Sequence, residues 1–208
     1  MTVQSLALGP LATNCYIVTD EKTERCAVID PGFASKQLLK ALEGMQVDMI
    51  LLTHAHIDHI MGVHAVQEMT GAKLYVHENE AERLQNPDAN LYNQMGCYNE
   101  PFLPLAADQF VADGDTLELG QTKIKVISTP GHTHGSVCYL AEKTLFSGDT
   151  LFCGSYGRVD FPTGSFSSMV DSFYRLTQLE GDYLVLPGHQ ETTTLQNERL
   201  MNPLARYI

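Results

Sequence analysis

The sequence predicts an α/β protein with more than one β-sheet. Three observations carry that expectation: short apolar runs bounded by turn residues recur along the chain, helical patterns separate some of them, and four of the runs end on histidine or aspartate. The 208 residues, 44% of them hydrophobic, suffice for one substantial core, so a single domain spanning 1–208 is expected.

The strands are read in order as VQSLAL, CYIVT, CAVID, MILLT, KLYVH, KIKVIS, VCYLA, TLFSG and YLVLPG. Helical patterns fall at roughly 35–43, 58–70, 79–85 and 165–179. The segment from about 86 to 107 breaks the pattern with three prolines, four asparagines and two tyrosines. It reads as a long surface excursion, either a lid or substrate wall or mere decoration.

Charge narrows the function classes. A formal net charge of -12 and the lack of any basic run disfavour nucleic acid or an anionic membrane as partner, because phosphate binding relies on clustered Lys and Arg. The opening MTVQSLALGP has no positive stretch before an apolar core, and no apolar run approaches membrane-spanning length, so a cytoplasmic protein is expected. Cys15, Cys26, Cys97, Cys138 and Cys153 form no C-x-x-C pair; their odd number suits reduced thiols, most of them packed in apolar runs.

The chemistry concentrates at strand ends. MILLT runs into His54, His56, Asp58 and His59; KVIST runs through Pro130 and Gly131 to His132; TLFSG meets Asp149; YLVLPG meets His189. Loops at such ends converge on one edge of an α/β fold. Seven nitrogen and oxygen ligands are too many for one tetrahedral ion and about right for two. His54 and His56, two apart in an extended turn, suit one ion, whereas Asp58 and His59 at the start of the next helix suit a second, and the two oxygens of Asp149 suit a bridge. Two ions roughly 3.5–4 Å apart would share a water acidic enough to act as hydroxide at neutral pH. The expected cofactor is therefore a pair of divalent metal ions, zinc first, with iron or manganese compatible. His64, His77 and His134 are read as ordinary histidines outside this set, His134 at most lining the site.

The order H-x-H-x-D-H-x-x-G (His54 to Gly62), P-G-H-T-x-G-S (Pro130 to Ser136), G-D-T (Gly148 to Thr150) and P-G-H (Pro187 to His189) resembles the metallo-β-lactamase-fold hydrolase superfamily over nearly the whole chain. T-N-C-Y (Thr13 to Tyr16) and V-I-D-P-G (Val28 to Gly32) are similar to its opening strands. The resemblance implies a four-layer αβ/βα sandwich, two mixed sheets face to face with helices outside. Within the superfamily His56 speaks against flavodiiron oxygen reductases, and Asp149 against true β-lactamases. The segment Gly148 to Ser165 looks like that shared by glyoxalase II-like thioesterases and persulfide dioxygenases, and the tail Thr193 to Pro203 is similar to both. Typical glyoxalase II enzymes add a C-terminal helical domain that binds glutathione; the chain ends at Ile208, so a branch lacking that domain is expected. Gln190 stands where many relatives carry glycine.

The resemblance implies one ion held by His54, His56, His132 and Asp149, and the other by Asp58, His59, His189 and Asp149. It implies metal-dependent hydrolysis of a small acyl thioester or related ester, of the hydroxyacylglutathione hydrolase type, with Asp58 as the catalytic carboxylate that orients the nucleophile. Arg158 has two readings, a substrate-carboxylate contact or an ion pair with Asp160, and Tyr156 is a candidate for the pocket wall. Asp30 is expected to hold a ligand histidine from behind. Two competing readings are a mononuclear iron dioxygenase acting on glutathione persulfide, drawing on His59 or its neighbours with His132 and Asp149, and a non-catalytic metal-binding protein. The complete ligand set weighs against the second.

Overall fold

Layering follows from the strand Thr13–Thr19. Successive side chains on a strand face opposite sides. Here Cys15 and Ile17 join one apolar cluster while Tyr16 and Val18 join another. Cys26 and Val28 alternate with Ala27 and Ile29 in the same way. A strand that is apolar on both faces must be covered on both.

The computed structural model describes all 208 residues and shows what supplies the cover. One six-stranded sheet runs β1 (Thr2–Leu8), β2 (Thr13–Thr19), β3 (Arg25–Ile29), β4 (Gln46–Leu51), β5 (Lys73–His77) and β6 (Gln109–Val111), in that spatial order. The other contains β7 (Thr116–Leu119), β8 (Thr122–Ser128), β9 (Val137–Ala141), β10 (Thr144–Gly148), β11 (Leu184–Pro187) and β12 (Thr193–Thr194), again in chain order from edge to edge. Between them lies a core that includes Tyr16, Ile29 and Leu51 from the first sheet and Val126, Tyr139 and Phe146 from the second. On the outer face of the first sheet pack α1 (Lys36–Leu42), α2 (Ile57–Ile60) and α3 (Val63–Thr70), through Leu38, Leu42, Ile57, Ile60, Val63 and Val66. Past the one-turn α4 (Tyr92–Met95), α5 (Phe166–Thr177) and α6 (Leu195–Met201) cover the second sheet. Met169, Phe173 and Leu176 of α5 recur at helical spacing on its buried face. The fold class is thus the expected αβ/βα sandwich. No helix is long and apolar enough to cross a membrane.

Two features bring the strand ends together. β8 and β10 both pair antiparallel with β9, and β11 is parallel to β10, so β8, β10 and β11 share one direction and finish on one edge. The sheets are also stitched there: the Tyr16 hydroxyl donates to the Pro187 carbonyl (2.6 Å), the Tyr139 hydroxyl to the Leu52 carbonyl (2.9 Å), and the Val137 N–H to the Thr53 carbonyl (2.8 Å). The end of β4 therefore abuts β9, and the end of β11 abuts β2.

Several elements differ from the sequence reading. The helix expected at 58–70 is two helices, broken where the Gly62 N–H turns to the Pro31 carbonyl (2.7 Å). The pattern at 79–85 forms a 3-10 turn at Glu78–Glu80 and further turns, because Glu80 points inward and breaks the amphipathic face. β6, β7, β12 and α6 were not expected: the strands are two to four residues long, and α6 buries only Leu195 and Glu198. The 86–107 excursion is docked rather than loose, with Tyr92, Met95, Tyr98 and Phe102 against the helix-side core.

Phe146 is fully buried and meets Tyr16 edge to face at 5.4 Å. Phe146→Ala is expected to cost about 3–5 kcal/mol of stability in urea denaturation. Away from the site, Asp20 ties the β2–β3 turn to the β7–β8 turn by accepting from the Thr23 and Thr122 hydroxyls and the Gln121 N–H. These bonds, Thr23 foremost, hold its carboxyl down at about 2. A depressed carboxyl stabilises the fold above its unfolded value of about 4, and that contribution disappears as pH falls toward 2. Melting temperatures recorded from pH 5 to 2 should fall less steeply for Asp20→Asn than for the unmodified chain.

Candidate metal centre

After β4 the backbone bends at Thr53, passes through His54 to an extended His56, and α2 then begins, so Asp58 and His59 sit in its single turn. β8 leads through Thr129 to Gly131 into His132, β10 ends directly before Asp149, and β11 ends before Gly188 and His189. All seven expected side chains meet. Ligand-type atoms of His54, His56 and His132 lie within 4.8 Å of one another, as do those of His54, His59 and Asp149, and those of Asp58, His59 and His189. Asp149 stands between: its Oδ1 is 3.4 Å from His59 Nε2, and its Oδ2 is 3.5 Å from His132 Nε2 and 3.7 Å from His189 Nε2. Asp58 Oδ2 lies 3.1 Å from His189 Nε2 and accepts the Thr13 hydroxyl at 3.1 Å.

The imidazoles are oriented from behind. Asp30 accepts the Thr53 N–H (2.8 Å) and hydroxyl (2.6 Å), and it pairs with His59 Nδ1 (3.0 Å). Because the Thr53 hydroxyl donates to Asp30, its oxygen is left to accept from His54 Nδ1 (3.2 Å). His132 Nδ1 donates to the Arg158 carbonyl at 2.7 Å. These contacts favour the proton on Nδ1 of each ring, which leaves Nε2 facing inward; His59 presents its Nε2 lone pair once a bound cation displaces the inner proton. Asp30 itself adopts φ +48, a strained left-handed conformation for a residue other than glycine.

Of the six buried side-chain polar atoms that have no hydrogen-bond partner within the chain, four belong to this cluster: Nε2 of His54, His56 and His59, and Oδ1 of Asp149. Buried polar atoms are rarely left so. A set of imidazole nitrogens and carboxylate oxygens without a thiolate fits a divalent zinc, iron or manganese ion, so the residues present suit the metals the sequence implies.

Electrostatics splits the histidines. Burial, then the neighbouring His59, holds His54 well below its ordinary value, and burial with His132 does the same to His56, so both stay neutral. Burial also opposes charge on His59 and His189, but Asp58 and Asp149, joined at His59 by Asp30, push both upward. Against burial, His59 keeps Asp58 and Asp149 below the usual carboxylate range.

A cavity of about 440 Å³ opens over His56, Asp58, His132, Asp149 and His189. Leu11, Met95, Phe152, Tyr156, Arg158 and Phe161 line it, so the excursion contributes wall through Met95. Arg158 is gripped by Asp160 through two bonds of 2.7 Å and lies 4.0 Å over the Phe161 ring. Gln190 also lines the cavity, at φ +68, a conformation glycine adopts most freely. His64, His77 and His134 stay outside the cluster: His64 Nε2 donates to the Pro104 carbonyl, His77 caps the 3-10 turn through the Asn79 N–H, and His134 is exposed.

The sequence reading missed Thr13, Thr53, Phe161 and Glu80. Thr13 opens one apolar run and Thr53 closes another, and Phe161 is one of several aromatics between Phe152 and Phe166. Glu80 lies in a charged stretch that looks like a solvated helix face. Thr13 and Phe161 fall within segments that resemble the superfamily, but those segments assign neither residue a role, and Thr53 and Glu80 carry no such signal.

The family model of the Metallo-beta-lactamase superfamily matches residues 8–189. The chain belongs to that superfamily. It is 33% identical to the crystal structure of the BLEG-1 B3 metallo-beta-lactamase, with a TM-score of 0.90 over 97% of this chain and 98% of that one. It is 32% identical to TTHA1623 solved in a di-iron-bound form, with a TM-score of 0.85 over 96% and 98% of the two chains. The hydroxyacylglutathione hydrolase GloC of Haemophilus influenzae is 28% identical over 98% of this chain and 97% of that protein. Membership makes the His/Asp cluster a metal-binding cluster, and it leaves the metal itself undetermined.

Gly188 shows how little slack this cluster has. A Cβ there would lie 2.3 Å from Asp149 Oδ1 and 2.8 Å from His59 Cε1. Gly188→Ala is therefore expected to displace Asp149 and weaken divalent-metal affinity by at least about tenfold, read by competition against a chromogenic chelator, with the circular dichroism spectrum retained.

Proposed function

We propose that the protein is a dinuclear metal-dependent hydrolase of small acyl thioesters. The observation that carries the reading is Asp149, whose carboxylate lies between His132 of one ligand set and His59 and His189 of the other. His54, His56 and His132 would hold one ion, and Asp58, His59 and His189 the other, with Asp149 shared. Two divalent ions there would acidify a water toward neutral pKa and polarise the acyl carbonyl.

The chain's own residues do the rest. Asp58, anchored by the Thr13 hydroxyl and exposed to the cavity, orients the attacking water and accepts its hydrogen bond. Leu11, Met95, Phe152 and Phe161 take the apolar parts of the acyl and thiol groups and exclude bulk water. Tyr156 and Arg158 stand at the wall, and Arg158 meets a substrate carboxylate by exchanging Asp160 for it. A thiolate leaving group, with a pKa of about 8.5, needs little protonation near neutrality, so no general acid is required. The likeness to GloC supports a thioester. The likeness to BLEG-1 favours a second reading, β-lactam hydrolysis, on the same metal chemistry.

Metal analysis of protein purified without added metal, run beside S-lactoylglutathione and a chromogenic cephalosporin, decides between them. About two ions per chain with thioester turnover is expected. Cephalosporin turnover alone would favour the β-lactam reading, and one iron per chain with oxygen uptake on glutathione persulfide would favour the dioxygenase. Asp58→Ala should lower kcat/KM for the thioester by at least about a hundredfold while leaving the thermal melt cooperative.

A further inference from the structure

Glu80 is a fully buried carboxylate that touches no expected ligand side chain. It closes the 3-10 turn after β5, and each of its oxygens goes to a different loop. Oε2 accepts the N–H of Ala55, the residue between His54 and His56, at 2.9 Å. Oε1 accepts the N–H of Gly135, three residues past His132, at 3.0 Å. Arg83, itself only 4% exposed, pairs with Oε1 at 3.2 Å and donates through Nη2 to the Pro162 carbonyl and the Thr163 hydroxyl. The Arg83 carbonyl accepts from the Asn90 side chain (2.9 Å), and the Asn90 carbonyl accepts the Ile57 N–H that opens α2 (2.9 Å).

We infer that Glu80 is a positioning residue of the metal centre. It sets the separation between the histidine loop after β4 and the histidine loop after β8, and Arg83 and Asn90 extend that hold to the cavity wall and to the turn bearing Asp58 and His59. Its contacts to the two histidine loops are to backbone N–H groups, so Glu80 governs where the loops stand, whereas Asp30, which also meets His59 Nδ1, governs how the rings are turned. A carboxylate is needed because both N–H groups are buried and each demands an acceptor; a glutamine would present one acceptor and one opposing donor. The product of the hold is visible across the two loops: His56 Nδ1 and His132 Nε2 lie 2.9 Å apart, a spacing at which two nitrogens share a proton or a cation.

This assignment rests on the reading of the cluster as a metal centre, and the experiment separates the two. Cobalt(II) is titrated into the unmodified chain, Glu80→Gln and Gly135→Ala, following visible absorption, with thermal melts of the metal-free proteins in parallel. In Gly135→Ala the added Cβ would lie 2.7 Å from Glu80 Oε1 and 2.8 Å from its Cγ, so it shifts the carboxylate without removing it. The expected result is cobalt binding weakened by about 10- to 100-fold in both variants, with an altered absorption spectrum. Unchanged affinity and spectrum beside a lowered melting temperature would overturn the assignment and leave Glu80 a fold-stabilising residue only. Should Glu80→Gln not fold, Gly135→Ala decides by the same two readouts. Failure of the unmodified chain to bind cobalt would instead remove the metal-centre reading, and the assignment with it.

Discussion

The site depends on where a few protons sit. One carboxylate, Asp30, accepts from the Thr53 hydroxyl and pairs with His59, and through Thr53 it also sets the proton on His54. With those protons held on the outer nitrogens, the inner lone pairs have no partner in the chain, and a cation becomes the group that satisfies them. The left-handed backbone at Asp30 places its side chain under the end of β4 instead of along β3, at some cost in strain. Rotating the Asp30 side chain would release two ligands at once, His59 directly and His54 through Thr53.

Much of this was legible in the sequence, for identifiable reasons. Ligand residues must be specific types at fixed offsets, so H-x-H-x-D-H and the three later strand ends stand out against an ordinary background. Strands apolar on both faces announce themselves as runs, and the buried stripe of α5 as a period. What stayed hidden is set by tertiary context. β12 is two residues long and exists because β11 lies beside it. Glu80 reads as solvated because its charge is matched by Arg83 and by backbone groups far off in sequence. The helix break at Gly62 answers a carbonyl of Pro31, which lies far earlier in the chain after the neighbouring strand β3.

The stitches between the sheets bear on the same point. Tyr16 and Tyr139 bury their rings in the intersheet core while their hydroxyls cap carbonyls at the ends of β11 and β4. Each tyrosine thus does two jobs: its ring contributes apolar burial, and its hydroxyl fixes the relative slide of the two sheets. Because the ligand sets are drawn from both sheets, that slide also sets the distances within the cluster. Core packing and metal geometry are coupled through these two side chains.

Ligands and cavity wall have separate origins. The metal-binding side chains hang from strand ends and the turn of α2, anchored by the core, whereas Leu11, Tyr156, Arg158 and Phe161 come from connecting loops on the rim and Met95 from the one-turn α4. The rim still braces the ligands at two points, since the Arg158 carbonyl holds His132 and the Asn90 carbonyl holds the first N–H of α2. Exchanging side chains such as Met95, Tyr156 or Phe161 while keeping those two carbonyls in place would alter which molecules fit the chamber and leave the metal-binding cluster intact. Such a scaffold is suited to acquiring new ligands by substitution on its rim, whereas wholesale loop exchange would disturb the cluster beneath.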